Sequence, residues 1–461
     1  DWHRPDLRMA RFVEPGVQAW LVLAGGVLVH VTLGTLYTWG NLNAYVASHM
    51  RMEAEGLGWV RMKDTGWVFS ALFSGQGIGM PFGGAIEKRI GPRWATLFGC
   101  VVMSIGVSLG QLAISSYPAF VLTYGFINGL GIGLAYTSPL VCALKWMPNK
   151  KGLISGIITA GFGAGALVFN PVQTMFVNPE DVRPDAAPYA ETNPGELYFS
   201  DKALLNRVPN LFTLLASCYL VVQLIGCAFL ENPPKEWASE RLPLTQRGDT
   251  TTGTSLSRPP KEAVQERAFW LLFLMFFLNG LSIAFTATFW KGLAPTGVSD
   301  RLLSSIGSVA SLCNAAGRVF WGAACDRANF RLAVVCLSCI WVVVMSTFAL
   351  SSTLPVALYA LWVCANFFSL GGNFALFPAA TAICFGREHL GTIYGLIFLS
   401  QLAGSQMMAF AAQNLFAVLG ALGMTICMAA CSAVTVGIGL ALPQLLPAYQ
   451  GLFATKGDTK K

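Results

Sequence analysis

Gly83-Gly-Ala-Ile-Glu-Lys-Arg-Ile-Gly-Pro-Arg93 decides the fold, because a shorter copy returns 239 residues later as Gly322-Ala-Ala-Cys-Asp-Arg327. In each copy a glycine stands one helical turn before an acid, and a base follows the acid. The same offset carries Gly133 to Gly372, Pro139 to Pro378 and Gly156 to Gly395. These are small, breaking or charged residues, whose backbone or electrostatic roles are the hardest to replace. Their recurrence at one spacing predicts two halves of like construction.

The chain around these copies has 461 residues, 54% of them hydrophobic and 11% charged. Its mean hydropathy is +0.57. A soluble domain carries about 25% charged residues, so this chain cannot clothe a soluble surface. Disorder needs the opposite composition. The reading is an all-α polytopic membrane protein, and the 48 glycines suit closely approaching membrane helices. Apolar runs near the spanning length of about 20 residues fall at 17–47, 66–87, 93–114, 118–146, 152–177, 209–230, 267–290, 302–324, 331–351, 354–384, 390–415 and 419–446. That makes twelve transmembrane helices in two pseudo-symmetric six-helix halves, 1–230 and 267–461, joined by a linker at 231–266. The linker is rich in Pro, Thr, Ser and Arg. Its middle reads as flexible and its two ends as short surface helices.

Lys and Arg concentrate on the side of the termini and the linker, at more than twice the count opposite, which places both termini in the cytoplasm. The acidic segment 178–208 then faces the other side. The net charge of +7 is loop charge of this kind and does not point to nucleic acid. The twelve cysteines lie in apolar stretches, including the lone Cys336 and Cys339 pair, and read as buried packing thiols. No N-x-Ser/Thr acceptor occurs, and the N-terminal residues do not read as a signal peptide. The run Gly161-Phe-Gly-Ala-Gly165 lacks the Lys-Ser/Thr ending and the strand of a nucleotide loop. No nucleophilic triad or metal cluster appears. The sequence therefore predicts neither an enzyme nor an ATP-driven pump, with no cofactor and no metal.

Two six-helix repeats suit alternating access, with a site between the halves near the midplane. The 83–93 run resembles the loop signature G-x-x-x-D-R-x-G-R of the major facilitator superfamily, with Glu87 where aspartate is usual. In the copy, Asn329 replaces the later glycine. Glu87, Lys88, Arg93, Asp326 and Arg327 are the gating candidates. A carboxylate at a helix end accepts from arginine or from a neighbouring helix N-terminus, and such a latch forms in one conformation and breaks in the other. A permanent helix-end salt bridge is the alternative. Three further stretches are similar to the oxalate:formate antiporter family, a relative of the monocarboxylate transporters. They are Asn232-Pro-Pro-Lys-Glu-Trp237, Phe269-Trp-Leu-Leu-Phe-Leu-Met-Phe-Phe-Leu-Asn279, and Phe385-Gly-Arg-Glu-His-Leu-Gly391 leading into Tyr394-Gly395. The resemblance runs from the first span to the last. It implies a secondary active transporter of small monocarboxylates such as formate, lactate or pyruvate.

Ionisable residues are costly in a bilayer, and only His30 and Arg318 lie well inside the spans. Arg318 is one turn before Gly322, deeper than the latch. Its planar fork fits a carboxylate, and no buried acid is present to pair with it. Capping of backbone carbonyls, or a reach to Asp326, are the other roles open to it. The resemblance implies that Arg318 binds the substrate carboxylate, since both related families carry such an arginine in Asn314-Ala-Ala-Gly-Arg318. Two departures bear on mechanism. Gln401 stands where oxalate exchangers have a lysine, which favours a monoanion. Asn314 and Asn41 stand where proton symporters have an acid and a lysine, which favours exchange or uniport. His30 is a candidate for proton coupling, or a core histidine bonded to a neighbour's carbonyl.

Tyr37, Gln76, Tyr394 and Gln401 match family positions on the cavity wall. Helix faces add Tyr136, Trp39, Phe162, Phe169, Asn170, Asn366 and Asn373. Three alternatives stay open: a larger carboxylate or zwitterion such as an amino acid, vitamin-like acid or drug; a proton-coupled symporter; and a sensor without turnover. The expected setting is a multi-pass protein of the plasma membrane, working as a monomer. Its partners are then a small organic anion and the lipid bilayer.

Overall fold

The computed structural model describes residues 15–453 apart from 63, 149, 187, 189–196, 235–257, 291–292, 296–297 and 299. Twelve long helices make up nearly all of the described residues. Helix α1 runs Pro15–Leu33, tightens into a 3-10 stretch at Gly34–Thr38 and continues over Trp39–Met52. Next come α2 (Gly66–Ile90) and α3 (Pro92–Ala113). Helix α4 opens at Tyr117–Phe120, widens into π-type turns at Val121–Ile127 and proceeds through Asn128–Trp146. Helices α5 (Lys151–Val177) and α6 (Lys202–Ala228) complete the first half.

A single turn at Pro260–Ala263 precedes α7 (Arg267–Phe289). The second half continues with α8 (Asp300–Arg327), α9 (Phe330–Ser351), α10 (Val356–Phe385), α11 (Leu390–Asn414) and α12 (Phe416–Leu445). The expectations of a flexible linker middle and of a surface helix at its N-terminal end fall mainly on 235–257, outside the described residues. Both chain ends and part of the acidic segment also lie outside the described residues, and the described portion of that segment includes one antiparallel bridge between Ala186 and Tyr198.

The helix ends follow from local chemistry. Gly91 closes α2 at φ 83°, a conformation that costs glycine little, and Pro92 opens α3 where its missing N–H is not needed. Asp201 accepts from the Leu204 N–H at 2.7 Å and so starts α6 seven residues before the apolar run at 209–230. Asn329 caps α9 in the same way, accepting from Leu332 N–H at 2.8 Å. The residue that departs from the repeated glycine thus serves as a helix cap.

Ten of the helices are long and apolar enough to cross a membrane. The other two are α2 and α8, which carry the repeated acid and base. Both lie at the junction of the halves, α8 against α5 and α2 against α11. These two contacts are the same contact under the internal repeat. Each is made by glycines. A Cβ on Gly322 would lie 2.1 Å from the carbonyl oxygen of Gly152, and one on Gly395 would lie 2.4 Å from the Pro81 nitrogen. Only a missing side chain lets the backbones approach so closely.

Large apolar side chains such as Leu112, Val343, Phe410 and Val418 face outward, as a lipid-embedded surface requires. Cys336, Cys339 and Cys427 are exposed on that surface, correcting the expectation that all the thiols are buried. An apolar sequence run does not separate core from lipid-facing positions, and a thiol suits either.

Candidate substrate site and gates

Arg318 is wholly buried in α8. Its guanidinium lies 4.6 Å from the ring centre of Phe374 on α10 and 5.4 Å from that of Phe162 on α5. Rings offer a cation their negative faces, an attraction strengthened where water is excluded. One turn earlier on the same helix, Asn314 Oδ1 accepts from Arg318 Nε at 3.0 Å. The terminal nitrogens Nη1 and Nη2 have no hydrogen-bond partner among the described residues. Neither a backbone carbonyl nor Asp326 takes them up. The structure thus presents a desolvated cation, fixed on three sides, whose outer edge carries no hydrogen bond of regular geometry among the described residues.

Around that edge stand Tyr37 of α1, Tyr136 of α4 and Tyr394 of α11, all within the electrostatic reach of Arg318, and the hydroxyls of Tyr37 and Tyr136 approach its guanidinium without closing a hydrogen bond of regular geometry. The buried hydroxyls of Tyr136 and Tyr394 approach each other without closing a hydrogen bond of regular geometry. Phe162 packs edge-on against Tyr37 at 5.6 Å and Tyr136 at 5.4 Å. Phe398 joins Tyr136, Phe374 and Tyr394 at 6.3, 6.2 and 6.1 Å. His30 sits edge-on to Tyr136 at 4.9 Å. Its Nδ1 is 2.9 Å from the Gly26 carbonyl, which can only accept, so in the neutral ring Nδ1 carries the proton. Its Nε2 is buried without a partner among the described residues. Three helices from each half supply this centre.

The other predicted wall residues are distributed differently. Gln76 is buried in α2, its carbonyl oxygen close against Gly133. Gln401 donates to the Phe276 carbonyl and packs on Gly280, tying α11 to α7. Asn41 donates to Gln173 Oε1 and Thr174 Oγ1, both at 3.2 Å, tying α1 to α5. Trp39 packs on Phe120 and Tyr124, and Phe169 on Tyr219. Asn366 donates to the Trp362 carbonyl of its own helix, while Asn373 accepts from Asn279 at 2.7 Å. Phe374 and Phe398 escaped the sequence reading. Phe398 follows Tyr394 by one turn, so helical spacing alone would have put it on the same face.

At the end bearing the repeated motif, the two copies form different contacts. Asp326 accepts from the N–H groups of Gly152 at 2.9 Å and Leu153 at 2.8 Å, setting its charge against the N-terminus of α5 in the other half. Glu87 instead pairs within its own half, with Lys145 at 2.7 Å, and Lys145 also donates to Asn232. Lys88 crosses between the halves, to Glu388 at 3.2 Å and to His389 Nδ1 at 2.8 Å. Arg93 donates to the carbonyls of Ala228 and Leu230 at the end of α6. Arg327 is exposed. A cavity of about 210 Å³ lies among Glu87, Lys88, Gly91, Lys145, Asn232 and Glu388. On the far side of Arg318, Ser311 donates to the Gly163 carbonyl at 2.8 Å and Gln406 to Ser74 at 3.0 Å. The halves therefore touch on both sides of the buried arginine.

The Lys88 contact predicts a pH response. An ammonium has donors and no lone pair, so His389 meets it as a neutral imidazole. Partial burial, then the Lys88 charge, lower the His389 pKa, and Glu388 opposes them. A group whose pKa is lowered in the closed state favours closure above its ordinary value and loses that contribution as pH falls. Taking the motif end from about pH 7.5 to about pH 5.5 is expected to raise labelling of a cysteine placed at Ser155, which is buried where α5 meets α10. His389→Gln is expected to flatten that response, and an unchanged response in the variant would show that another group titrates.

A family profile described as Major Facilitator Superfamily matches residues 31–407. Apicoplast pyruvate carrier 1 of Toxoplasma gondii is 39% identical over 489 aligned residues, covering 93% of this chain and 89% of that protein. The oxalate:formate antiporter of Oxalobacter formigenes is 26% identical over 330 residues, 70% of this chain and 69% of that one. Among solved structures, the human organic anion transporter MFSD10 superposes with a TM-score of 0.63 at 15% identity, covering 93% of this chain and 100% of that one. This last likeness is one of fold.

Proposed function

The chain belongs to the major facilitator superfamily, a family of integral multi-pass membrane transporters, and from that premise we propose that it carries small monocarboxylate anions by alternating access. The observation that carries this reading is the outer edge of Arg318, a buried cation whose Nη1 and Nη2 close no hydrogen bond of regular geometry among the described residues. A carboxylate fills that edge with two charge-assisted hydrogen bonds. The names of two relatives, a pyruvate carrier and an oxalate:formate antiporter, both include a small monocarboxylate. Between a monoanion and a dianion, the site favours the former. Among the described residues it holds one cation, and Gln401 is engaged with the α7 backbone.

Tyr37, Tyr136 and Tyr394 then line the substrate, and Asn314 orients the guanidinium. Asp326 and Lys88 latch the motif end, which the positive-inside count puts on the cytoplasmic face. Exchange is the favoured mode. An empty carrier has to bury an unpaired Arg318 as it turns over, which disfavours empty return. Proton coupling through His30 is the second reading, favoured by its bare Nε2 beside Tyr136.

Counterflow in proteoliposomes separates the two. Entry of labelled pyruvate is expected to need internal monocarboxylate and to ignore a pH gradient. Uptake into empty vesicles driven by the gradient would overturn exchange and make His30 the residue to replace. Asn314→Asp puts an acid on Arg318 Nε and is expected to lower neutral-pH uptake about tenfold, with recovery as acid protonates it. Recovery would be absent if Asn314 were remote from the substrate.

A further inference from the structure

Resting on the monocarboxylate reading, we infer that Gln173 of α5 and Gln223 of α6 are positioning residues for the substrate, acting through α1. They hold its tightened stretch at Gly34–Thr38, and that stretch aims Tyr37 at Arg318. Three threonines run along this part of α1. The hydroxyls of Thr32, Thr35 and Thr38 each donate at 2.7 Å to the carbonyl three residues earlier, of Val29, Thr32 and Thr35 in turn. A hydroxyl that has given its hydrogen to a carbonyl can only accept. Gln223 Nε2 donates to Thr32 Oγ1 at 2.9 Å, and Gln173 Nε2 donates to Thr38 Oγ1 at 2.8 Å. The opposite end of each amide is also engaged. Gln223 Oε1 accepts from Ser104 at 3.3 Å and Gln173 Oε1 from Asn41 at 3.2 Å. Thr32, Thr38 and both glutamines are wholly buried. The stretch is thus pinned just before its start and at its end, from two other helices.

Local winding decides where Tyr37 points. The Trp39 N–H bonds to the Leu36 carbonyl, the i to i+3 pattern of the tighter helix. Threonine bonds back to the preceding turn compete with regular helix and favour such a departure. Each residue turns about 120° in a 3-10 helix and about 100° in an α-helix. Tyr37 is three steps beyond Gly34, so winding the stretch as α-helix would turn it by about 60°. Gly34 marks the fixed point. A Cβ there would lie 1.9 Å from the Phe162 carbonyl oxygen, so the backbones of α1 and α5 are in direct contact. In the observed winding the Tyr37 ring meets Phe162 edge-on at 5.6 Å, and its hydroxyl approaches the Arg318 guanidinium. A turn of 60° carries that hydroxyl away from the arginine and from the carboxylate seated on it.

The test is uptake of labelled pyruvate into proteoliposomes holding the full chain. Gln173→Met, Gln223→Met and Thr38→Val are each expected to raise KM about fivefold, with Vmax held within about twofold. Thr38→Ser keeps the hydroxyl and is expected to keep the parental KM. Beside Tyr37→Phe, Gln173→Met is expected to add less than about twofold, because residues that act through one another are not additive. A second measurement needs no variant: pyruvate is expected to slow amide exchange over Gly34–Thr38 more than over Pro15–Leu33. Parental KM in Gln173→Met, Gln223→Met and Thr38→Val would overturn this inference and leave the monocarboxylate reading standing. A full fivefold effect beside Tyr37→Phe, or exchange at Gly34–Thr38 that ignores pyruvate while pyruvate is transported, would overturn it equally. Failure of every monocarboxylate to enter with the unaltered protein would overturn the underlying reading as well.

Discussion

Arg318→Ala is expected to reduce monocarboxylate uptake by at least about a hundredfold, since it deletes the two charge-assisted bonds proposed to hold the carboxylate. The loss should come without a loss of fold. Arg318 is buried with two nitrogens unpaired among the described residues, and removing such a charge relieves a desolvation cost that the Asn314 bond and the two rings offset only in part. The purified variant is therefore expected to melt no lower than the parent while failing to transport. Arg318→Lys keeps the charge but loses the fork and the stacking between Phe162 and Phe374, so it should retain only a small residual rate. Full uptake by the alanine variant would end the assignment of the carboxylate to this residue.

Gly322→Ala is the second large effect, and it acts on the gate. The new methyl would lie 2.1 Å from the Gly152 carbonyl oxygen, against about 3.3 Å for a comfortable C···O contact. Helices α8 and α5 have to part by about an ångström to make room. Asp326 then loses its 2.9 and 2.8 Å contacts with the start of α5. The motif end should stay open, uptake should fall about tenfold or more, and a reporter cysteine at the buried Ser155 should label faster. Gly437→Ala on α12 is the control, because nothing lies within 4 Å of its added methyl. If Gly322→Ala transported normally, close approach of these helices would not be needed for the cycle.

The sequence announces the helices because membrane spans are written in long apolar runs, and it announces the halves because Gly83, Glu87 and Gly156 return at one offset. Arg318 was legible for a related reason: a lone cation in an apolar run is rare. What stayed hidden depends on helix rotation and on neighbours far along the chain. Phe374 is one of 31 phenylalanines, and nothing in its local sequence says that it stacks on the arginine. Gln401 has family precedent as a wall residue, yet its amide turns to the Phe276 carbonyl. Glu87 and Asp326 occupy equivalent places in the repeat but have different partners, because Lys145 stands near the first and the α5 N-terminus near the second. The break in α1 at Gly34–Thr38 was missed too, since five uncharged residues do not interrupt an apolar run.

The solitary charge at the centre has an electrical consequence. A monoanion seated on Arg318 makes a neutral pair, so the loaded carrier changes shape without moving net charge through the membrane field. One-for-one exchange should then run at the same rate under any voltage. An empty carrier moves the bare guanidinium instead, and a full crossing of one charge is worth about 2.3 kcal/mol per 100 mV. Membrane potential should therefore act on net uptake and leave exchange untouched, a difference that a potassium-diffusion potential across the same vesicles would reveal.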